Sequence, residues 1–127
     1  MLDNANLIAF LATSRPEESR QFYRVKLGLL FVEDDNNHIV FYSNGTLLRI
    51  QRVSNFTPSG LVALSWEVDN LLAEVASLKS QGVKFERFAD LEQDANDIWI
   101  AYDGTMVAWF KDPDGNLLSL SEHAERP

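Results

Sequence analysis

The sequence contains no cysteine, only six glycines and no long run of apolar residues. Without cysteine the chain forms no disulfide, has no thiol nucleophile and offers no thiolate ligand for zinc. No apolar run approaches the roughly 20 residues that a membrane-spanning helix needs, so no membrane partner is expected. The glycines form no phosphate-binding loop, so no nucleotide cofactor is expected.

Basic residues are also scarce, since 11 Lys and Arg stand against 19 Asp and Glu and give a net charge of −8. An acidic chain repels a phosphate backbone, and we therefore expect no nucleic-acid partner. The first residues show no basic segment followed by an apolar stretch, which predicts a cytoplasmic protein. The only two histidines are His38, beside a polar turn, and His123, in the polar tail, and we expect both to be solvated.

An internal repeat organises the 127 residues, of which 46% are hydrophobic. The segment 44–51 reappears as 114–121, and each copy begins with an Asn-Gly or Asp-Gly turn that is typical of a hairpin. Upstream, the apolar segments 6–12 and 61–68 each precede a helical pattern. The length predicts one domain over 1–127 that is built from two similar halves.

Each half predicts one strand, one helix and then three strands. Repeat one is predicted at about 5–53 and repeat two at about 60–121, with Ser14 and Asp69 as the N-caps of the two helices. The acidic stretch 89–97 has no counterpart in repeat one and is predicted to be an exposed loop. Since one repeat is too small to bury a sheet face alone, the two should pair around a cavity. The predicted fold class is α+β, with two βαβββ repeats forming a cupped mixed sheet.

Two segments carry a family resemblance: 18–29, with its Phe22-Tyr23 pair, and 111–120, with its Asp-Pro-Asp-Gly-Asn turn. They resemble the first helix and the final hairpin of the vicinal-oxygen-chelate superfamily. That superfamily contains glyoxalase I, extradiol dioxygenases, fosfomycin-modifying enzymes and bleomycin-resistance binding proteins. Together with the repeat, the resemblance covers essentially the whole chain and implies the same cupped fold, although a shared fold does not define the chemistry.

The resemblance also implies four strand positions at which the enzymes of the superfamily hold a divalent metal through His, Gln or Glu. In this chain those positions are Ile8, Arg49, Ala63 and Ser119. Isoleucine and alanine have no donor atom, arginine carries a permanent positive charge, and one serine hydroxyl is a poor ligand. We therefore expect no metal and no other cofactor.

The same four positions imply which side chains face the cavity, because residues two apart on a strand share a face. The expected ligand-binding residues on these strands are Ile8, Phe10, Arg49, Gln51, Ser65, Glu67 and Ser119. Phe41, Trp99 and Trp109 are further candidates, for which ordinary core packing is the alternative. Arg49 has two interpretations: a structural partner of Glu67, or an anchor for an anionic or carbonyl-bearing ligand.

Three functions are compatible with these residues. The first is a metal-free protein of the bleomycin-resistance type that binds a small organic molecule. The second is a superfamily enzyme, namely a glyoxalase-like lyase or isomerase that uses Glu67 or Arg49 without a metal, or a dioxygenase-type enzyme. The third is a structural or regulatory module whose cavity is filled by its own side chains. The family also implies a homodimer, with the first strand and the tail 121–127 as expected contact regions.

Overall fold

The computed structural model describes residues 1–124, which fall in two compact units with the bounds Met1–Thr57 (unit 1) and Pro58–Pro127 (unit 2). Residues 125–127 of the expected contact tail lie outside the described residues. No helix within 1–124 is long and apolar enough to cross a membrane. The single-domain organisation of the whole chain stays a prediction.

Unit 1 is a βαβββ motif. Its strands are β1 (Ile8–Thr13), β2 (Leu30–Asp34), β3 (His38–Ser43) and β4 (Thr46–Arg52). A short 3-10 turn, Leu2–Asn4, precedes β1, and the helix α1 (Pro16–Gln21) continues as a π-helical turn, Phe22–Lys26. The strand order is β1-β4-β3-β2, in which β1 is parallel to β4 and the other neighbours are antiparallel.

Aromatic rings attach the helical segment of unit 1 to one face of its sheet. The ring centroid of Tyr23, which is fully buried, lies 6.0 Å from that of Phe41. Phe31 on β2 meets Phe41 nearly edge-on, with 5.9 Å between the centroids. On the same face, the carboxylate of Asp34 binds the guanidinium groups of Arg20 and Arg52. The core of unit 1 therefore lies between the helical segment and the sheet face that carries Phe31 and Phe41.

The turn between β3 and β4 requires the residues that the repeat places there. Asn44 has a φ of +41° and Gly45 a φ of +94°, so two successive residues adopt left-handed conformations. Such a turn matches the twist of an antiparallel pair, and Asn and Gly tolerate it best. Ser43 and Thr46 then face each other across the hairpin, as the Asn-Gly signal predicted.

Unit 2 repeats the motif of unit 1. Its elements are β5 (Val62–Glu67), α2 (Leu71–Ser80), β6 (Trp99–Ile100), β7 (Met106–Lys111) and β8 (Leu117–Glu122). The strand order is β5-β8-β7-β6, with β5 parallel to β8, which is the order of unit 1 element for element. The predicted α+β class with two βαβββ repeats is confirmed.

The predicted N-caps are each wrong by one residue. Helix α1 begins at Pro16, a favoured residue at the first helical position, with Arg15 at the N-cap position and no side-chain cap. Helix α2 is capped by Asn70 rather than Asp69, and the Asn70 side chain accepts a hydrogen bond of 3.1 Å from the Ala73 N–H. Asn and Asp cap helices about equally well, so residue type alone does not select the position.

The turn between β7 and β8 is held by a buried carboxylate. Asp112 Oδ1 accepts hydrogen bonds from the backbone N–H groups of Asp114 (3.0 Å) and Asn116 (2.9 Å). Its other oxygen, Oδ2, accepts a bond of 2.9 Å from the Asn116 side-chain amide. This arrangement gives the Asp-Pro-Asp-Gly-Asn segment a structural role.

Candidate functional site

The face of the unit 1 sheet that lies opposite the helix collects four of the predicted ligand residues. Arg49 on β4 has two neighbours in the strand register: Phe10 on β1 and Val40 on β3. Ile8 and Gln51 lie two residues from Phe10 and Arg49 on β1 and β4, so both share this face. We call this surface the Arg49 face.

Arg49 is the unusual residue of this face. Its Nε atom is buried and has no hydrogen-bond acceptor among the residues that the structure describes. A buried N–H donor without a partner is costly, and on a charged guanidinium the cost is larger. Its neighbour Phe10 is 57% exposed although it is apolar. The Arg49 face thus combines an unsatisfied cationic donor with exposed apolar surface.

Phe41 does not belong to the Arg49 face, so its assignment as a ligand residue is wrong. Register pairs Phe41 with Leu48, and side chains that alternate along β4 put Leu48 and Arg49 on opposite faces. The Phe41 ring is fully buried between Tyr23 and Phe31 beneath the helix. Ordinary core packing, the alternative interpretation, is what the structure has.

His38 was expected to be a solvated turn residue, and the structure instead places it on the Arg49 face. It begins β3, is half-buried, and pairs with Gln51 in the register. Its ring meets that of Phe10 edge-on at 6.4 Å between centroids. The sequence indicates this placement of His38, because Val40 lies two residues later on the same strand and residues two apart share a face.

In unit 2, the corresponding face brings together the other five predicted residues. One row across three strands is Ser65, Ser119 and Trp109, and the Ser119 hydroxyl donates a hydrogen bond of 2.8 Å to the Ser65 hydroxyl. The next row on the same face crosses all four strands, with Glu67 on β5 at one end and Trp99 on β6 at the other. We call this surface the Trp109 face.

Three aromatic rings form a continuous group on the Trp109 face. The centroids of Trp99 and Trp109 are 6.2 Å apart with the ring planes tilted by 42°. Phe88 meets Trp109 edge-on, at 5.3 Å and 86°. Trp99 and Trp109 are both half-buried.

A residue that the sequence interpretation assigned to the solvated tail, His123, contacts one of the predicted site residues. Its Nε2 lies 3.5 Å from Oε1 of Glu67, and the two side chains are 44% and 42% exposed. A second carboxylate lies nearby: backbone and side-chain hydrogen bonds from Thr105 hold the pKa of Asp103 below its usual value, and His123 lowers it further. The alternation Ser119, Ser121, His123 indicates this position if β8 continues past 121.

The residues do not fit the metal that the superfamily resemblance implies. Within residues 1–124, no group of three or more His, Asp or Glu side chains is arranged to hold a metal ion. Two of the four implied positions carry Ile8 and Ala63, which have no donor atom, and Ala63 falls at a register shift of β5.

The acidic stretch 89–97 is exposed, as predicted, but it is firmly tied to unit 2. The Gln93 side chain accepts a bond from the Phe88 N–H and donates to the carbonyl groups of Glu86 and Asp97. Asp97 in turn binds Lys79 (2.9 Å) on α2 and Arg87 (2.5 Å). These residues border an open groove of about 730 Å³ formed mainly by 82–87, which contains none of the predicted ligand residues.

The Asp97 contacts predict a measurable acid dependence of stability. Burial opposes ionisation of Asp97, but hydrogen bonds from Lys79 and Arg87 outweigh it and hold its pKa below the usual value. The resulting stability is present above the unfolded pKa of about 3.9 and is lost as the pH falls through the lower folded pKa. Asp97→Asn should cost less than about 1 kcal/mol at pH 7, because the pairs are partly exposed to solvent.

Urea unfolding of the wild type and Asp97→Asn between pH 2.5 and 7 measures this dependence. The two free energies of unfolding should differ at pH 7 and converge at the acid end of the range. A difference that stays constant over the whole range would contradict the assignment to the Asp97 carboxylate.

Comparisons with known proteins agree with the fold. Among solved structures, the chain is similar to a bleomycin resistance determinant encoded on the transposon Tn5, with 20% identity, a TM-score of 0.73 and coverage of 94% of this chain and 98% of that one. It is also similar to a glyoxalase family protein from Bacillus anthracis, with 18% identity, a TM-score of 0.72 and coverage of 91% and 92%. A third similar structure is a lactoylglutathione lyase from Agrobacterium tumefaciens, with 17% identity, a TM-score of 0.68 and coverage of 94% of this chain and 93% of that one.

Identities this low indicate a common fold and leave the chemistry open. No curated protein matches the sequence. A family match covers residues 5–120, nearly the whole chain, and includes both segments that carried the resemblance. The chain therefore belongs to the Glyoxalase/Bleomycin resistance protein/Dioxygenase superfamily.

Proposed function

We propose that this protein binds a small organic molecule without a metal, and that the Arg49 face anchors a carboxylate or carbonyl oxygen of that molecule. The observation that carries the proposal is the buried Nε of Arg49, for which residues 1–124 supply no acceptor. A planar guanidinium forks readily onto a carboxylate, and an oxygen from a ligand would satisfy the donor. The pairing of Arg49 with Glu67, the structural interpretation, stays a prediction.

The side chains around Arg49 support an organic ligand rather than an inorganic anion. Ile8 and Phe10 are 39% and 57% exposed, so they offer apolar surface to a carbon skeleton. Gln51 and His38 add polar groups at one end of the same face. Small-molecule sites are largely apolar with a few polar groups that fix orientation, and this set matches that description.

A thermal-shift screen of small carboxylates at constant ionic strength tests the proposal. Acetate, benzoate and phenylacetate are compared on the wild type, on Arg49→Leu and on Arg15→Leu. Arg15 is an exposed arginine paired with Glu18, so its variant has the same charge change away from the face. At least one acid should stabilise the wild type and Arg15→Leu.

In Arg49→Leu, binding of that acid should weaken by roughly 10-fold to 100-fold, which is the loss of one charge-assisted hydrogen-bonding group. The fold should survive, because an apolar side chain of similar reach can replace a poorly satisfied buried charge. If every acid stabilises both variants equally, or none stabilises any of the three proteins, Arg49 is structural and the proposal fails.

A second candidate is an enzyme of the lyase or isomerase type, and the contact between Glu67 and His123 favours it. A carboxylate and an imidazole at 3.5 Å could accept and hold a proton beside the Ser65 and Ser119 hydroxyls. Uptake of solvent deuterium at the α-carbon of a bound carbonyl compound distinguishes this candidate from binding alone.

We further propose that the protein is a cytoplasmic homodimer. Within their own sheets, β1 in unit 1 and β5 in unit 2 are terminal strands that pair on one side only, and such edges are usually covered. Exposed apolar residues lie at or beside these edges: Leu7, Ile8, Phe10, Leu61 and Val62. Light scattering at micromolar concentration should therefore give about twice the 14.4 kDa chain mass. The mass of a single chain under those conditions would refute the dimer.

A further inference from the structure

The outer edge of the unit 2 sheet consists of two pieces that flank the acidic stretch 89–97. Strand β6 pairs with the first residues of β7, and Phe85 forms an antiparallel bridge near the end of β7. Beside this bridge, the Glu86 N–H donates a hydrogen bond of 2.8 Å to the Trp109 carbonyl. Because successive peptide groups of an extended chain point to opposite sides, the N–H and C=O of Phe85 point away from β7.

Phe85 therefore presents unpaired backbone groups on an open edge. No hydrogen bond from residues 1–124 reaches its N–H or its C=O. Phe85 also lines the groove of about 730 Å³ that is formed mainly by 82–87, which we call the 82–87 groove. A sheet edge of this kind can accept a further strand, whose backbone supplies the missing hydrogen bonds.

The basic side chains of unit 2 gather at this groove. Residues 58–124 contain twelve Asp and Glu but only four Lys and Arg, and three of the four line the groove: Lys79, Lys84 and Arg87. The fourth is Lys111, whose Nζ lies 3.8 Å from the Glu86 carboxylate on the groove wall. The carboxylates of the groove are those of Glu86 and Asp97, which leaves an excess of positive charge. Lys84 is exposed and has no ion-pair partner among residues 1–124.

The charge of this edge selects the strand that can be added to it. If two copies of this chain paired through 83–87, Lys84 and Arg87 of one copy would face those of the other. Like charges on adjacent strands are destabilising, and a lysine on an open edge commonly prevents such self-pairing. A strand that carries carboxylates avoids the repulsion and complements the excess of positive charge.

We propose that the 82–87 groove binds an extended acidic segment of another protein, which adds to the edge of the unit 2 sheet as a further strand. The backbone of that segment pairs with the N–H and C=O of Phe85, and its carboxylates contact Lys84 and the neighbouring cations. The groove contains none of the predicted ligand residues, so this proposal is independent of the proposed function.

Backbone amide signals of the ¹⁵N-labelled full chain report the added strand while synthetic peptides are titrated at low, constant ionic strength. The probe is the acetylated and amidated peptide Glu-Val-Glu-Val-Glu. One control peptide has Gln in place of each Glu. A second control keeps the three carboxylates but has every backbone nitrogen methylated, so its backbone donates no hydrogen bond.

With the acidic peptide, the Phe85 amide signal should move downfield and saturate, because this N–H gains an acceptor. The signals of β2, the terminal strand of unit 1, should stay in place, since this strand carries Glu33 and Asp34, which disfavour an acidic strand. We expect the glutamine peptide and the methylated peptide each to bind at least about fivefold more weakly than the acidic peptide.

Substitution of Lys84 measures the contribution of the edge charge. Lys84→Gln should weaken binding of the acidic peptide by about threefold, the effect of one exposed ion pair, and should leave binding of the glutamine peptide unchanged. Lys26→Gln makes the same change of charge at an exposed position of unit 1 and should alter neither affinity. Because Lys84 is exposed as well, loss of folding does not obscure the result.

Three results of these titrations would overturn the proposal. They are a Phe85 signal that the acidic peptide does not move, equal affinities for the acidic and the methylated peptide, and equal effects of Lys84→Gln and Lys26→Gln. A Phe85 signal that moves with protein concentration before any peptide is added would also overturn it, by assigning the edge to a second copy. Arg49→Leu should bind the acidic peptide as the wild type does, so failure here is distinguished from failure of the proposed function.

Discussion

Phe41→Ala is expected to lower the free energy of unfolding by about 3–5 kcal/mol, the usual cost of emptying a large aromatic site in a core. The Phe41 ring is fully buried and contacts Tyr23 and Phe31, so its removal separates the helical segment from the unit 1 sheet. Both rings lose a partner, and the cavity forms where the surrounding strands have little room to collapse. Urea denaturation monitored by circular dichroism measures the loss.

Phe10→Ala is the matched control for this prediction. It deletes the same side chain from the same sheet, but Phe10 lies on the opposite face and is 57% exposed. Its cost should stay below about 1 kcal/mol, as is typical of exposed positions. If Phe41→Ala cost no more than Phe10→Ala, Phe41 would not be a core residue.

Asp112→Ala should have the second large effect, a loss of about 3 kcal/mol that lowers the melting temperature by roughly 10 °C. The substitution removes a buried carboxylate that accepts three hydrogen bonds from Asp114 and Asn116. The donors then lie in a turn where Asn116 is itself buried, so water replaces the carboxylate poorly.

Asp112→Asn separates the contribution of the two oxygens. An asparagine keeps Oδ1, which accepts the two backbone bonds, but it is uncharged and turns an NH2 group instead of an acceptor toward the Asn116 amide. It should therefore retain more than half of the stability that Asp112→Ala loses. Equal melting temperatures for the two variants would mean that the backbone hydrogen bonds of Asp112 contribute little.

The fold was predictable because its strongest signals are local. The Asn-Gly turn at Asn44 and the Asp-Pro-Asp-Gly-Asn turn at Asp112 each specify a hairpin within a few residues. Because these turns recur in both halves, they also indicated the repeat. The helix starts were misplaced by one residue, since several polar residues near each start could serve as the cap.

The candidate site was predictable only where side chains alternate clearly along a strand. On β4, the positions around Arg49 alternate between buried and less buried, so the strand pattern alone indicates which side chains share a face with Arg49. On β3, three successive residues, Ile39, Val40 and Phe41, are all buried, so hydrophobicity gives no parity and leaves both interpretations of Phe41 open, ligand contact and core packing. Only the pairing with β4 resolves it.

His123 was missed because a long-range contact extends β8. Glu122 accepts a hydrogen bond of 2.8 Å from the N–H of Leu71, the first residue of α2 and 51 positions earlier in the chain. This contact holds the end of the strand, and the next residue, His123, then reaches Glu67. Nothing local in the polar tail indicates such a contact, so fraying was the natural expectation.

Ligand binding at Arg49 is tested most directly by the NMR signal of its Nε–H group. The signal is assigned by its absence in Arg49→Lys and followed while benzoate is added at constant ionic strength. We expect a saturable downfield shift of the Arg49 signal, as the unsatisfied donor gains an acceptor, while the Arg15 signal stays in place. An Arg49 signal that does not move, or one that moves no more than that of Arg15, would contradict binding at this site.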